Sequence, residues 1–205
     1  MADYIESHPS ITKGKTVLEL GAGAGLPGLV AAVEGGADAV VLTDYPDGDL
    51  VDNLRHNAAG HASHVGPEGN DQARAGKVAV RGYLWGDRDV TALFDALPRH
   101  ENGEEGFDVL LLADLNFNHS CHEALAETIC MTLKKSVEAR ALVFFTPYRP
   151  WLLEKDLGLF DVCREKGLVV NKMLEKELES VMFEDDPGDT QLRRTVFGYE
   201  IVWGS

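Results

Sequence analysis

Cysteine is scarce in this sequence, which contains three cysteines and no Cys-x-x-Cys pair. An odd count without a paired motif argues against a disulfide framework and predicts reduced thiols, as in a cytosolic protein. The sequence also lacks an apolar run of the length that spans a bilayer. Its first six residues include no Lys or Arg, so they resemble neither a signal peptide nor a transit peptide. We therefore expect a cytoplasmic protein without a membrane anchor.

Basic residues are outnumbered, with 19 Lys and Arg against 34 Asp and Glu and a net charge of −15. Such a surface repels phosphate backbones, so we expect no nucleic-acid partner. It suits a basic protein partner, although solubility is the simpler explanation of the charge. The 205 residues, 44% of them hydrophobic, are enough for one large α/β domain, and we expect a single domain over residues 1–205.

Apolar runs alternate with stretches of helical character, the pattern of an α/β fold with a mostly parallel sheet. An Asp-Pro-Gly-Asp turn separates the last two extended runs, which we expect to close the sheet as an antiparallel pair. The predicted strands are Thr16–Leu20, Ala39–Thr43, Lys77–Arg81, Phe107–Ala113, Ala141–Phe145, Leu168–Lys176 and Arg194–Trp203. The predicted helices are Leu26–Gly35, Asp49–Ala58, Ser120–Lys135 and Trp151–Lys166, the third with a capping box of Ser120 and Glu123.

A glycine-rich turn follows the first predicted strand and precedes a helix, an arrangement typical of a nucleotide site. Glycines let the backbone touch a ligand where a side chain would intervene. The stretch Glu19–Gly23 at the strand end indicates S-adenosylmethionine (SAM), because a carboxylate suits its sulfonium and ammonium groups. A turn needed only for tight packing is the alternative without a ligand.

A dinucleotide is the rival ligand, because Gly23–Gly28 formally matches G-x-G-x-x-G. Two features oppose it. The match starts two residues later than the fingerprint should, since Gly21 already follows the strand. In addition, the carboxylate of Glu19 would face a pyrophosphate unfavourably.

Two further residues follow neighbouring predicted strands. Asp44 ends the second strand, where a carboxylate can accept both ribose hydroxyls of either cofactor. The alternative is a turn carboxylate near Pro46. Trp85 follows the third strand and can stack on an adenine ring, although a lone Trp more often belongs to the core.

The residues after the fourth strand are candidates for the site where methyl donor and acceptor meet. We expect Asp114 to orient an amine and Phe117 to shield the transferring methyl group. The alternative is that Asp114 begins a turn and Phe117 belongs to the core. No covalent nucleophile is expected, since methyl transfer is an in-line displacement on an already activated sulfonium.

A cluster of His119, Cys121 and His122 follows directly, yet its spacing suits no standard zinc pattern. These residues open a predicted helix, so a solvated helix start is the simpler explanation. Local neighbours also need not be oriented for Cys-His catalysis. We therefore predict no metal site.

Several sequence blocks, which extend over nearly the whole chain, resemble the fungal elongation factor methyltransferases of methyltransferase family 16. They are Val17–Gly28, Thr43–Asp47, Asn53–Asn57, Tyr83–Gly86, Ala113–Ser120, Arg149–Trp151 and Met182–Asp189. The glycine turn is shared by many families, whereas the Asp-Tyr-Pro, Arg-Pro-Trp and Asp-Pro-Gly-Asp blocks are specific. One departure is Thr146-Pro147-Tyr148, where relatives commonly have Thr-His-His.

The resemblance implies a class I Rossmann-like methyltransferase fold, with a seven-stranded sheet of order 3-2-1-4-5-7-6 and helices on both faces. It associates the stretch from Asp114 to Phe117 with the acceptor site and adds further contacts to the cofactor. The full predicted cofactor set is Glu19, Gly21, Ala22, Gly23, Asp44, Tyr45, Trp85 and Ala113.

The activity that the resemblance implies is methylation of translation elongation factor 1-alpha, at its N-terminal glycine and the adjacent lysine. Three alternatives stay open at this point. The first is a small-molecule N-methyltransferase with a nicotinamide-like acceptor, since the family was formerly so labelled. The others are a SAM-binding module without catalysis and a nicotinamide-dinucleotide oxidoreductase.

Overall fold

The structure is a computed structural model that describes residues 1–62, 78–97 and 105–204. Seven strands form one sheet of order β3-β2-β1-β4-β5-β7-β6. The strands are β1 (Thr16–Leu20), β2 (Ala39–Asp44), β3 (Val78–Gly82), β4 (Val109–Ala113), β5 (Arg140–Phe145), β6 (Leu168–Glu177) and β7 (Thr195–Trp203). The predicted strand order is thereby confirmed.

Strands β1 to β5 pair in parallel, and β7 is antiparallel to both β5 and β6. The predicted closing antiparallel pair is confirmed, and so are the bounds of β1. Strand β4 begins at Val109, two residues later than predicted, because Phe107 makes only an isolated bridge to Leu133. Lys77, the first residue of the predicted third strand, lies outside the described residues.

Seven α-helices lie in the described part of the chain. They are α1 (Ala2–Ser7), α2 (Leu26–Val33), α3 (Gly48–Ala62), α4 (Thr91–Phe94), α5 (His122–Thr132), α6 (Leu153–Glu165) and α7 (Thr190–Arg193). Helix α5 ends at Thr132 and not at Lys135, since the next residue, Leu133, is extended. None of these described helices is long and apolar enough to cross a membrane.

The predicted capping box at the start of α5 is wrong. Ser120 lies in a short 3-10 turn, His119–Cys121, and the α-helix begins after it. The Ser120 hydroxyl donates to Asn118 Oδ1 at 3.1 Å and therefore does not cap the helix. Glu123 instead pairs with the ammonium group of Lys166.

Side chains of the central strands alternate between two apolar cores, one on each face of the sheet. In β1, Leu18 and Leu20 belong to the core covered by α5 and α6, whereas Val17 belongs to the core covered by α1, α2 and α3. Strand β4 alternates in the same way. Because both faces are covered, these strands read as continuous apolar runs in the sequence.

Helix α2 packs closely on the sheet at Gly28. A Cβ atom there would lie 2.3 Å from Leu42 Cδ2 and 2.6 Å from Glu19 Oε2. No real Cβ approaches its neighbours so closely, so Leu42 and Glu19 would have to move. The glycine therefore sets how near the helix, and the turn that precedes it, come to β1 and β2.

We expect Gly28→Ala to lower the free energy of unfolding by about 1–3 kcal/mol, because it overpacks this contact. Urea denaturation followed by circular dichroism measures the change. The matched control is Gly48→Ala, since a Cβ at Gly48 meets nothing within 4 Å. Equal unfolding midpoints for the Gly28→Ala variant and the wild type would contradict the tight contact.

Candidate functional site

The turn after β1 has a backbone conformation that requires glycine. Gly21, Gly23 and Gly25 all have positive φ angles, of 57°, 55° and 79°. Residues other than glycine rarely adopt positive φ angles. The N–H of Ala22 donates to the carbonyl of Thr43 at 2.8 Å, which fixes the turn to β2.

Two glycines of this turn differ in their surroundings. A Cβ at Gly21 would lie 2.7 Å from the Leu115 side chain and 3.0 Å from the Trp85 ring, so both side chains lie beside Gly21. A Cβ at Gly23 would meet nothing within 4 Å. The backbone at Gly23 therefore faces open space, where a ligand can approach closely. This arrangement fits a cofactor cradled by the turn.

Glu19 is almost completely buried, with 1% of its surface exposed. Its Oε2 accepts a hydrogen bond of 2.8 Å from the N–H of Gly28, in the first turn of α2. The first N–H groups of a helix have no partner within the helix, so Glu19 satisfies one of them. Burial raises the pKa of this carboxyl group to about 8. The Glu19 carboxyl group thus stabilises the turn from its buried side. Its predicted contact with the cofactor stays a prediction.

Asp44, at the end of β2, joins the turn from the other side. Its Oδ2 accepts from the N–H of Gly23 at 2.6 Å, and its Oδ1 accepts from the N–H of Tyr45 at 2.7 Å. A carboxylate has about four acceptor positions, so two remain for ribose hydroxyls. The side chain of Tyr45 is exposed beside it. The cofactor contacts of Asp44, Tyr45 and Trp85 stay predictions.

A cavity of about 300 Å³ opens beyond the ends of β4 and β5. Its walls are largely apolar and aromatic, with carboxylates among them. Residues that line it include Asp114, Phe117, Phe145, Tyr148, Met182 and Phe183. Ala113, the last residue of β4, precedes Asp114 and pairs with Phe144 of β5. The cavity therefore lies at the ends of β4 and β5, and β4 pairs with β1, the strand that the glycine turn follows. The assignment of an acceptor site there stays a prediction.

Asp114 has a strained backbone, with φ of 54°, the one positive φ among described residues other than glycine. Such strain often occurs at functional sites. Its N–H donates to the carbonyl of Phe144 at 2.7 Å, and its Oδ1 accepts from the N–H of Thr146 at 2.9 Å. Although the residue as a whole is exposed, burial around its carboxyl group raises the pKa, and the bond from Thr146 partly offsets that effect.

Phe117 does not belong to the core. Its side chain is 47% exposed at the cavity, and its ring packs edge-on against Tyr148 with 6.1 Å between ring centroids. Tyr148 is one of the two residues, with Pro147, that depart from the expected Thr-His-His, and its aromatic ring extends the wall at that position. The guanidinium of Arg149 lies 5.0 Å from the centroid of the same ring.

The outer wall of the cavity was not predicted from the sequence. It comes from residues 178–186, after β6, and from Arg193. The guanidinium of Arg193, which is 6% exposed, donates to the backbone carbonyls of Phe183 and Asp186. The Asp-Pro-Gly-Asp sequence predicts a loop here. No local pattern predicts that the buried guanidinium of Arg193 binds the backbone of this loop.

The histidines after β4 bind neighbouring protein groups. His119 Nε2 lies 2.6 Å from Asp156 Oδ1, and His122 Nε2 lies 2.7 Å from the carbonyl oxygen of Asn116. The first contact ties the turn after β4 to α6, and the second ties the same turn to the start of α5. Within residues 1–62, 78–97 and 105–204, no group of three or more His, Cys, Asp or Glu side chains could hold a metal ion.

The buried carboxyl group of Glu19 predicts a pH-dependent stability. Its pKa is about 8 in the folded chain against 4.5 in a solvated carboxyl, so its stabilising effect is complete below pH 4.5 and is lost as the pH rises through 8. We expect Glu19→Gln to remove this loss and to unfold with a free energy about 2–5 kcal/mol above wild type at pH 8.5. Urea unfolding at pH 5 and pH 8.5 measures it.

The control for this comparison is Glu138→Gln, because the side chain of Glu138 is 78% exposed. That variant should follow the wild type at both pH values. A constant difference between Glu19→Gln and the wild type across this range would mean that the Glu19 carboxyl titrates normally.

Sequence comparisons identify relatives along the chain. Residues 1–147 match the family described as lysine methyltransferase. The protein N-terminal and lysine N-methyltransferase efm7 of Neurospora crassa is 47% identical over 203 residues, which cover 99% of this chain and 70% of that protein. The protein of the same name from Emericella nidulans is also 47% identical over 203 residues, with 98% and 75% covered.

The fold has counterparts among solved structures. Precorrin-6y C5,15-methyltransferase from Geobacter metallireducens superposes with a TM-score of 0.60 at 11% identity, covering 99% of this chain and 86% of that one. This likeness concerns the fold alone. The extent of the family match and the identity to the fungal relatives decide the assignment. The chain belongs to the lysine methyltransferase family and is a SAM-dependent methyltransferase.

Proposed function

We propose that this methyltransferase modifies a protein nitrogen, and specifically the N-terminal glycine and adjacent lysine of translation elongation factor 1-alpha in the cytoplasm. One observation carries the proposal. The glycine turn with Asp44 and the cavity with Asp114 lie at the same edge of the sheet, at the ends of β2, β1 and β4. The names of the fungal relatives, protein N-terminal and lysine N-methyltransferases, support the class of acceptor.

The cofactor site is proposed on the turn. Bound there, SAM supplies a methyl group on a sulfonium, already activated for transfer. Asp44 would accept the ribose hydroxyls with its two free acceptor positions, while Gly23 offers bare backbone. Trp85 and Leu115, which flank Gly21, would form apolar walls. The residues proposed for the cofactor site are Glu19, Gly21, Ala22, Gly23, Asp44, Tyr45, Trp85 and Ala113, with Glu19 acting through the shape of the turn.

Asp114 is proposed as the carboxylate that accepts a hydrogen bond from the acceptor nitrogen. The attacking nitrogen must be neutral, so the site has to orient an N–H and accept a proton. The carboxylate of Asp114 has acceptor positions beyond the bond from Thr146, and its raised pKa makes it a better base than a solvated carboxylate. Phe117 and Tyr148 at the rim help to exclude water.

The chemistry favours an α-amine over a lysine as first acceptor. A model α-amino group has a pKa near 7.7–8.0 and a lysine near 10.4, so deprotonating the lysine at neutral pH costs roughly 3 kcal/mol more. Methylation of both nitrogens therefore requires more assistance at the lysine. We expect the N-terminal amine to be modified faster.

Surface charge supports a basic protein as the partner. The net charge of −15 attracts a basic partner such as the elongation factor and speeds encounter. Transfer should be faster at low salt, because the Debye length is about 10 Å at 0.1 M and shrinks with added salt.

The function is tested with purified elongation factor 1-alpha and radiolabelled SAM, followed by mass spectrometry of the modified peptide. We expect label on the N-terminal glycine and the adjacent lysine. Nicotinamide serves as the small-molecule acceptor in a parallel reaction. Label on nicotinamide alone would overturn the protein substrate.

For Asp114→Asn we expect unchanged SAM affinity by calorimetry and a loss of transfer of about a hundredfold or more, since general acid–base groups commonly contribute that much. Asparagine tolerates the left-handed backbone at this position, so the fold should persist. The control is Asp161→Asn, whose carboxylate is 75% exposed on α6. Turnover equal to wild type would remove Asp114 from the mechanism.

For Asp44→Ala we expect SAM binding to weaken by about 2–4 kcal/mol, because two charge-assisted hydrogen bonds to ribose are lost. Isothermal calorimetry measures the affinity. Asp47→Ala, an exposed carboxylate in the loop after β2, should bind SAM as the wild type does. Undiminished affinity in Asp44→Ala would exclude that residue from the cofactor site.

A further inference from the structure

One residue that lines the cavity carries a buried polar atom that methyl transfer does not use. Asn116 lines the cavity and is only 1% exposed. Its Nδ2 donates to the backbone carbonyl of Asp156 at 3.0 Å. Its Oδ1 has no hydrogen-bond partner in the described part of the chain.

An unpartnered acceptor of this kind is costly. Buried polar groups in native proteins are almost always hydrogen-bonded, and one left without a partner costs its full desolvation. The bond from Nδ2 to Asp156 also fixes which way the amide is turned. Oδ1 is therefore the acceptor of this cavity-lining side chain that has no donor in the described part of the chain.

The residue whose carbonyl Asn116 contacts also carries a carboxylate. Asp156, which is 5% exposed, lines the same cavity, and His119 engages its Oδ1 at 2.6 Å. A carboxylate accepts more than one hydrogen bond, so Asp156 keeps acceptor capacity beside His119. An amide oxygen and a carboxylate together suit a group that carries several N–H donors and a positive charge.

The walls around this polar pair are apolar. Leu178, Met182 and Phe183 line the cavity from the segment after β6, and Phe145 lines it from the sheet. A ligand that fits has an aliphatic stem and a cationic head. The lysine side chain has this shape, with four methylenes that pack on apolar surface and an ammonium with three donors.

We propose that Asn116 and Asp156 form a second subsite, which binds the ammonium group of the lysine adjacent to the acceptor nitrogen while the α-amine lies at Asp114. This inference rests on the proposed function, because it assigns the second residue of that substrate. The subsite selects the substrate segment by its second residue. No bond is made or broken there.

Two peptides test the subsite directly. Both carry the N-terminal sequence of the substrate, one with lysine at position two and one with norleucine, which keeps the stem and lacks the charge. Peptide affinity is measured by calorimetry in the presence of S-adenosylhomocysteine, and transfer to the α-amine is measured as KM and kcat. We expect the wild type to bind the lysine peptide about tenfold more tightly, the effect of one hydrogen bond to a charged group.

Variants then test which residues cause the preference for the lysine peptide. Asn116→Leu should bind both peptides alike, with unchanged SAM affinity and a change in KM and not in kcat. Asp156→Asn, which keeps its shape and loses its charge, should also lose the preference and stands in if Asn116→Leu fails to fold. The control is Asn118→Leu, an amide on the same turn that accepts from Ser120, and it should keep the preference.

The outcomes separate this subsite from the proposed function. Preferential binding of the lysine peptide without transfer to any α-amine would uphold the subsite and overturn the function. Transfer to both peptides with equal affinity would uphold the function and overturn the subsite. A preference that survives in a folded Asn116→Leu or Asp156→Asn variant, or a wild type that binds neither peptide, would also overturn it.

Discussion

The buried carboxyl group of Glu19 is the interaction on which the rest of the site depends. It joins the end of β1 to the first turn of α2 through the N–H of Gly28, and that glycine leaves no room for a side chain. The turn between them is consequently short and fixed. Asp44 then binds Gly23 from β2, so the turn is held from within and from the neighbouring strand. The turn leaves open space beside the backbone of Gly23, where we propose that the cofactor binds.

The sequence predicts the central sheet well, because strands covered on both faces appear as unbroken apolar runs bounded by glycine. The direction of Glu19 could not be predicted in this way. Every residue of β1 is buried, so alternation does not tell which side chain faces a ligand and which faces the protein. The predicted start of the helix after β4 is wrong for a different reason. Ser120 lies in the 3-10 turn before the helix, and its hydroxyl donates to Asn118 Oδ1.

Local sequence patterns predict only part of the cavity wall. Asp114 and Phe117 follow a strand end, and the sequence alone predicts them as acceptor-site residues. The remaining walls depend on contacts between distant segments, such as Asn116 with Asp156, 40 residues apart, and Thr146 with Asp114, 32 residues apart. Arg193 donates to backbone carbonyls, which any residue can supply. No pattern of charged residues in the sequence therefore predicts its position. The shape of the acceptor site therefore emerges only in the folded chain.

Donor and acceptor are proposed to meet between the glycine turn and the cavity at Asp114. A crystal structure with S-adenosylhomocysteine and the N-terminal peptide of elongation factor 1-alpha would show both sites occupied. We expect both ribose hydroxyls within about 3 Å of the Asp44 carboxylate and the peptide α-nitrogen between Asp114 and the cofactor sulfur. A cofactor bound without Asp44, or a peptide bound outside the cavity, would contradict it.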